Sequence, residues 1–142
     1  DLWKSEDGGV TWTVVTLHAP WEGRGGHTLI NFLGSLYLFN GQGGVMGQHP
    51  QDGSHQSPLD EHGVTYFNDL WRLDSENGEW TKDLSTFTLS ETGNVTSWAP
   101  RFGHTTVIEK PNAFNSDISR LYMVGGRDGT GFLSDCWSWR GP

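Results

Sequence analysis

The chain has few of the residues that define several large classes of protein. It contains one cysteine, so it can form neither an internal disulfide nor a cysteine-based zinc cluster. Its longest apolar stretches, such as 36–39, are far shorter than the ~20 residues of a membrane helix, so no membrane span is expected. Only nine Lys and Arg accompany 17 Asp and Glu. Because phosphate binding needs clustered cations, we expect no nucleic acid partner.

Aromatic residues and glycine are abundant by contrast. The 142 residues include 8 Trp, 7 Phe, 3 Tyr and 20 Gly, while hydrophobic residues make up only 34%. Apolar burial must therefore come largely from rings, which favours β structure. Short β-branched or apolar runs at 28–32, 36–39, 105–108 and 121–124 are bounded by Gly, Asn or Pro, and these runs predict strands. The fold class predicted is all-β, in a chain about one domain long.

Three kinds of short segment recur along the chain, which indicates internal repetition. They are Asp-x-Trp at 1–3, 69–71 and 135–137, Arg-x-Gly-His at 24–27 and 101–104, and a Leu-Tyr run ending in Gly at 36–41 and 121–126. A second Trp follows nine positions after Trp3 and after Trp71. The separations of matching landmarks are 77, 85 and 66 residues, so loops of unequal length must interrupt a common unit. The shortest version of each step gives a unit of about 49 residues.

These landmarks resemble the kelch repeat of β-propellers, whose period is ~50 residues. The resemblance implies blades of four-stranded antiparallel sheet, about two and a quarter of them, in an incomplete propeller. It assigns 1–15 to the third and fourth strands of one blade, 21–82 to a complete blade with a long loop at 42–66, and 98–142 to the first three strands of another. Since propellers close with ~4–8 blades, further blades are expected in the same chain or in a second copy.

One position departs from the kelch pattern. Asn40 stands where the first glycine of the Gly-Gly pair is expected, and a Gly pair reappears only at 43–44. We expect looser backbone packing at this point, because glycine admits the closest approach between chains.

The segment 5–12, Ser-Glu-Asp-Gly-Gly-Val-Thr-Trp, resembles the Asp-box of sialidases and other propellers. Asp7 can cap backbone N–H groups, Gly9 can adopt positive φ, and Trp12 can pack beneath the turn. In that family the motif is a structural turn away from the active site. We therefore expect a turn here rather than a ligand site.

The Arg and His residues of the repeats could suggest catalysis, because such pairs clamp anions or move protons. They occur once per repeat, however, whereas a catalytic group is usually single, so we expect structural roles. The predicted structural residues are Asp7, Gly9, Trp12, Arg24, His27, Trp71, Trp80, Arg101, His104, Gly125, Gly126 and Trp137. Cys136 is expected to be a buried small hydrophobe.

The long loop is the predicted binding segment. It contains His49, Asp52, His55, Asp60 and His62 among Gly, Gln and Pro. The three histidines are weak zinc or copper candidates, because the spacing His-x5-His-x6-His matches no compact ligand pattern. We expect no metal and no cofactor, but long loops on rigid scaffolds commonly carry binding residues.

The expected function is a non-catalytic scaffold that binds a protein or glycan partner through its inserted loops. The alternative is part of a propeller enzyme, a glycosidase or copper oxidase, whose catalytic residues lie in other blades. A lectin-like array in which Trp21 or Trp98 stacks on sugars is a third possibility, although both are better placed for packing. Asn94 begins a glycosylation sequon, which favours an extracellular, secreted location over a cytoplasmic one.

Overall fold

The computed structural model describes residues 1–44, 63–74, 77–83, 98–111 and 119–141. Within these ranges the chain is all-β without any helix, which confirms the predicted fold class, and no helix there could cross a membrane. The described residues form nine strands: β1 (Leu2–Lys4), β2 (Thr13–Thr16), β3 (Thr28–Phe32), β4 (Ser35–Gly44), β5 (Val64–Leu73), β6 (Trp80–Asp83), β7 (Thr105–Glu109), β8 (Arg120–Val124) and β9 (Cys136–Trp139).

The strands form three separate antiparallel sheets in chain order. The first sheet pairs β1 with β2, the second has the order β3-β4-β5-β6, and the third has the order β7-β8-β9. Within each sheet consecutive strands pair, so the first sheet is a hairpin and the second and third are meanders. The described strands do not close into a barrel.

The second and third sheets share one pairing register. Thr28 lies opposite Phe39 in the second sheet, and Thr105 lies opposite Val124 in the third. Likewise Leu38 lies opposite Trp71, as Met123 lies opposite Trp137. Residues at matching repeat positions are therefore also at matching places in their sheets.

The main core lies between the second and third sheets and consists mostly of rings. Trp139 of the third sheet is its centre, with ring centroids 4.9 Å from Tyr37, 5.6 Å from Phe32 and 6.2 Å from Phe39. The edge-to-face arrangement with Tyr37 is one that aromatic quadrupoles favour. The buried cluster comprises Phe32, Tyr37, Phe39, Leu70, Trp98, Leu121, Met123, Trp137 and Trp139.

Backbone hydrogen bonds join the same two sheets. Arg101 N–H donates to the Phe67 carbonyl at 3.0 Å, and Gly41 N–H donates to the Arg101 carbonyl at 2.9 Å. Gly103 N–H donates to the Gly26 carbonyl at 2.9 Å. The segment preceding β7 is thus fixed to the second sheet through its main chain.

Asn40 does not loosen the packing, so that expectation was wrong. It is fully buried and has a φ of 52°, close to the 62° of Gly125 at the matching position. Asparagine tolerates this left-handed conformation better than most residues do. Its Oδ1 accepts a 2.6 Å bond from Trp98 Nε1, and its amide contacts Met123 Sδ at 3.1 Å. The side chain that glycine lacks connects the two sheets.

The other face of the third sheet is open in the described structure. Val107, Val124 and Cys136 are all exposed there. Cys136 lies opposite Val124 as Leu70 lies opposite Phe39, yet Leu70 is buried. The prediction of a buried Cys136 was therefore wrong, because the described residues place no sheet over this face.

We expect Asn40→Gly to lower the free energy of unfolding by about 1–3 kcal/mol, since it removes the buried hydrogen bond from Trp98 Nε1 to Asn40 Oδ1. Glycine keeps the φ of 52°, so the change isolates the side-chain contribution. Urea denaturation followed by tryptophan fluorescence measures the effect. Leu33→Gly is the control, because Leu33 also has a φ of 52° but is exposed, and it should leave stability unchanged or slightly raised. Equal stability of Asn40→Gly and the unmodified chain would contradict the proposed connection.

Candidate functional site

The repeated Arg and Asp residues form an ion pair inside the second sheet. Arg24 Nη1 and Nη2 donate to the two carboxylate oxygens of Asp69 at 2.6 and 3.0 Å. Trp71 Nε1 donates to Asp69 Oδ2 at 2.8 Å, and the Arg24 guanidinium lies 4.0 Å from the centroid of the Phe67 ring. We call this arrangement of Arg, Asp and Trp the Arg–Asp–Trp unit.

The third sheet contains the same unit. Arg101 donates to Asp135 at 2.5 and 2.7 Å, and Trp137 Nε1 donates to Asp135 Oδ2 at 2.7 Å. The Arg101 side chain is completely buried. Hydrogen bonding from Arg101 is the largest cause that lowers the pKa of Asp135 below its ordinary value. The Asp135 carboxyl is thus ionised at neutral pH.

Each arginine of a unit also bonds to two backbone carbonyls. Arg101 donates from Nη1 to the Gly125 carbonyl at 2.8 Å and from Nε to the Ala99 carbonyl at 3.1 Å. Arg24 makes the matching bonds to Asn40 at 3.0 Å and Glu22 at 3.2 Å. Both guanidinium groups therefore donate to acceptors within the protein rather than to a ligand.

The two histidines of the repeats differ in burial. His104 is buried, and neither ring nitrogen has a hydrogen-bond partner among the described residues. Burial, followed by the positive charges of Arg101 and of His27 when protonated, lowers the pKa of His104 to about 4. His27 is exposed, but the nearby protein atoms partly desolvate its ring, and this lowers its pKa as well. Both imidazoles are therefore neutral at pH 7.

The 5–12 segment folds into a turn stabilised by its own side chains. Asp7 accepts bonds from Thr11 Oγ1 at 2.6 Å, from Thr11 N–H at 2.9 Å and from Val10 N–H at 3.1 Å. These bonds, led by that from the Thr11 hydroxyl, lower the pKa of Asp7. Gly9 has a φ of 94°, and Trp12 Nε1 donates to its carbonyl at 3.0 Å while the ring stays largely exposed. The Asp7 carboxylate is committed to the turn.

A row of aromatic side chains crosses from the second sheet to the third. Tyr66 and Phe102 stack with centroids 5.7 Å apart and planes 29° apart. The Arg127 guanidinium lies 5.5 Å from the centroid of Phe102 and 5.7 Å from that of Phe132, both within cation–π range. Phe132 is 89% exposed. We call Tyr66, Phe102, Arg127 and Phe132 the aromatic row.

The backbone beneath the aromatic row is hydrogen-bonded. Phe102 and Arg127 exchange two bonds of 3.0 Å each, and Arg127 also forms a β-bridge with Phe132. Asp128 closes the following turn, because its Oδ1 accepts from the N–H groups of Thr130 and Gly131 at 2.7 and 2.9 Å. The exposed side chains of the row are therefore carried on an ordered backbone.

Some of the remaining predicted residues lie within the described ranges, and the others lie outside them. The Trp80 ring lies 4.1 Å from that of Trp21, and Trp98 is 2% exposed, so packing accounts for Trp98 rather than sugar stacking. Gly125 and Gly126 both have positive φ. The proposed loop residues and sequon lie outside the described residues: His49, Asp52, His55, Asp60, His62 and Asn94. Among the described residues, no three His, Cys, Asp or Glu side chains are grouped as metal ligands would be.

No protein-family model matches the chain, and the search of curated proteins finds no significant match.

Two sets of residues were not assigned roles by sequence reasoning. Asp69 and Asp135 were seen only as markers of the repeat, although their pairing with Arg24 and Arg101 could have been inferred from their joint recurrence. The sequence repeats did not reveal the aromatic row, because Phe102 and Arg127 stand where the other repeat has Gly25 and Gln42.

We expect Arg101→Lys to reduce the free energy of unfolding by about 2–4 kcal/mol. Lysine keeps the charge but cannot form the two-pronged contact with Asp135 or reach the Gly125 and Ala99 carbonyls together. Urea denaturation measures the loss. Arg127→Lys, an exposed matched control, should change stability by no more than about 0.5 kcal/mol. Equal effects of the two substitutions would show that burial of the ion pair does not matter.

Stability should fall as the pH is lowered from 7 to 5. The folded pKa of His104, about 4, lies below the ordinary 6.5, so the unfolded chain takes up a proton that the folded chain does not. This contribution is complete above about pH 6.5 and is lost as the pH falls towards 4. The expected loss between pH 7 and 5 is about 2 kcal/mol.

Urea denaturation at several pH values measures this slope, and NMR titration of the His104 ring tests its cause. His104→Gln should flatten the slope, whereas His18→Gln, at an exposed histidine, should preserve it. A His104 ring that titrates near 6.5 in the folded chain would contradict the prediction.

Proposed function

We propose that this chain is part of a kelch-type β-propeller that acts as a non-catalytic binding scaffold for a protein or a glycan. The observation that carries the proposal is the duplicated Arg–Asp–Trp unit. The groups that most suggest catalysis from sequence, Arg24 and Arg101, are bonded to the protein's own carboxylates and carbonyls in both sheets. Their role in holding the fold explains why they repeat.

The proposal includes further sheets of the same kind, in the same polypeptide or in a second copy. The open face of the third sheet supports it. Tyr122, Val124 and Cys136 occupy the positions that Tyr37, Phe39 and Leu70 occupy in the second sheet, where a neighbouring sheet covers them. Burial of such a face is the main source of stability in a repeat array.

An extracellular location is part of the proposal. The Asn94 sequon and the resemblance of 5–12 to the Asp-box support it. The intact mass of the natural protein before and after deglycosylation tests it directly, and an unchanged mass would remove the support that Asn94 provides.

The Cys136 thiol provides a test of the missing neighbour. In the isolated 142-residue chain we expect it to react readily with a thiol reagent such as DTNB, because it is exposed. In the natural protein we expect slower reaction, since a further sheet would cover the position. Both samples should react alike in concentrated urea. Equally fast labelling in the natural folded protein would contradict a covering sheet.

Turnover assays distinguish a scaffold from a propeller enzyme. The natural protein is incubated with glycosidase substrates, and separately with primary alcohols and copper under oxygen. No turnover is expected, since the repeated polar groups serve the fold. Reproducible turnover would overturn the scaffold proposal in favour of a glycosidase or copper oxidase.

A further inference from the structure

The aromatic row has the features of a ligand-binding surface. Arg24 and Arg101 are each paired with an aspartate, but Arg127 is exposed and has no carboxylate partner among the described residues. The guanidinium lies within cation–π range of two rings, Phe102 and Phe132, and these contacts limit the conformations that it would lose on binding. It is a pre-positioned cation in a protein whose net charge is −8.

The chemistry of Arg127 indicates the charged group of the ligand. A guanidinium pairs best with a planar anion that accepts two parallel hydrogen bonds, and a carboxylate has this geometry. A single cation surrounded by a net negative protein disfavours a densely charged polyanion. The expected ligand therefore presents isolated carboxylates.

The rings indicate the rest of the ligand. Phe132 is 89% exposed on an ordered backbone, and Tyr66 and Phe102 extend the row towards the second sheet. A flat aromatic surface suits the C–H face of a pyranose ring, which gains dispersion contacts there. The N–H and carbonyl groups of Phe102 and Arg127 bond to each other, so these residues offer no free edge to which an extended peptide could add.

We propose that the aromatic row binds a glycan through a sugar that carries a carboxylate. Arg127 pairs with the carboxylate, and Phe132 packs on the C–H face of the sugar ring. This inference rests on the proposed scaffold function and names its ligand class. Uronic acids and sialic acids share the required chemistry.

NMR titration of the ¹⁵N-labelled chain tests the inference. The ligands are a hyaluronan hexasaccharide, 3′-sialyllactose, neutral chitohexaose and lactose, and a hexapeptide of alternating glutamate and glycine. We expect the Arg127 Nε and Phe132 signals to shift with at least one carboxylated sugar and not with the neutral ones. Response to the hexasaccharide alone identifies uronic acid as the source, and response to sialyllactose alone identifies sialic acid.

Matched variants assign the binding to the row. Arg127→Gln should weaken affinity by at least about tenfold, because it removes a charge-assisted pair, and Phe132→Ala should also weaken it. Arg140→Gln and Leu17→Ala make the same kinds of change at other exposed positions and should bind normally. Unchanged melting temperatures show that the variants remain folded.

Several results would overturn the inference. They are equal binding of neutral sugars, no binding of any carboxylated sugar, and binding that survives Arg127→Gln. Binding of the acidic peptide alone would also overturn it but would leave the scaffold proposal intact. The scaffold proposal fails separately, through turnover of a substrate.

Discussion

Arg101 joins the second and third sheets, and much of the surrounding structure depends on the contacts of its main chain and of its buried guanidinium. The main chain of Arg101 is hydrogen-bonded to Phe67 and Gly41 of the second sheet, while its side chain is bonded to Asp135 and Gly125 of the third. Arginine cannot discharge by losing a proton, so a fully buried guanidinium must be compensated by fixed acceptors. The ion pair therefore acts mainly as a constraint, because it fixes Asp135 of the third sheet against Arg101, whose main chain is bonded to the second sheet.

That constraint explains the glycine-rich positions of the repeat. For the guanidinium to reach a backbone carbonyl, the chain must turn at Asn40 in one sheet and at Gly125 in the other, and both have positive φ. At the next position, a Cβ on Gly126 would lie 2.9 Å from the Phe102 carbonyl oxygen, and one on Gly41 would lie 3.0 Å from that of Gly25. The Arg of Arg-x-Gly-His thus bonds both to the carbonyl of the positive-φ turn and to the Asp of Asp-x-Trp. These three segments, which are far apart in sequence, form one polar cluster.

Sequence patterns correctly predicted individual strands and the all-β fold class. β-Branched and apolar runs at 28–32 and 105–108 located β3 and β7. The errors concern contacts between sheets. Asn40 in place of glycine was expected to loosen the packing. Its hydrogen-bond donor, Trp98 Nε1, is 58 residues away in sequence, so local patterns could not reveal the contact. Cys136 looked buried because cysteine usually packs as a small hydrophobe, but burial depends on whether another sheet covers the face.

The comparison of the two sheets also separates positions that hold the fold from positions free to bind. Backbone bridges join Gly25 to Gln42 in the second sheet and Phe102 to Arg127 in the third, with nearly equal hydrogen-bond lengths. The main chain is the same at these places, but the side chains are unrelated in size and charge. The Arg–Asp–Trp unit, by contrast, is the same in both sheets because its geometry is required for packing. Side chains that differ between the sheets on the same backbone are not needed for this packing. Arg127 and Phe132 are therefore freer to bind a ligand than the repeated arginines and histidines are.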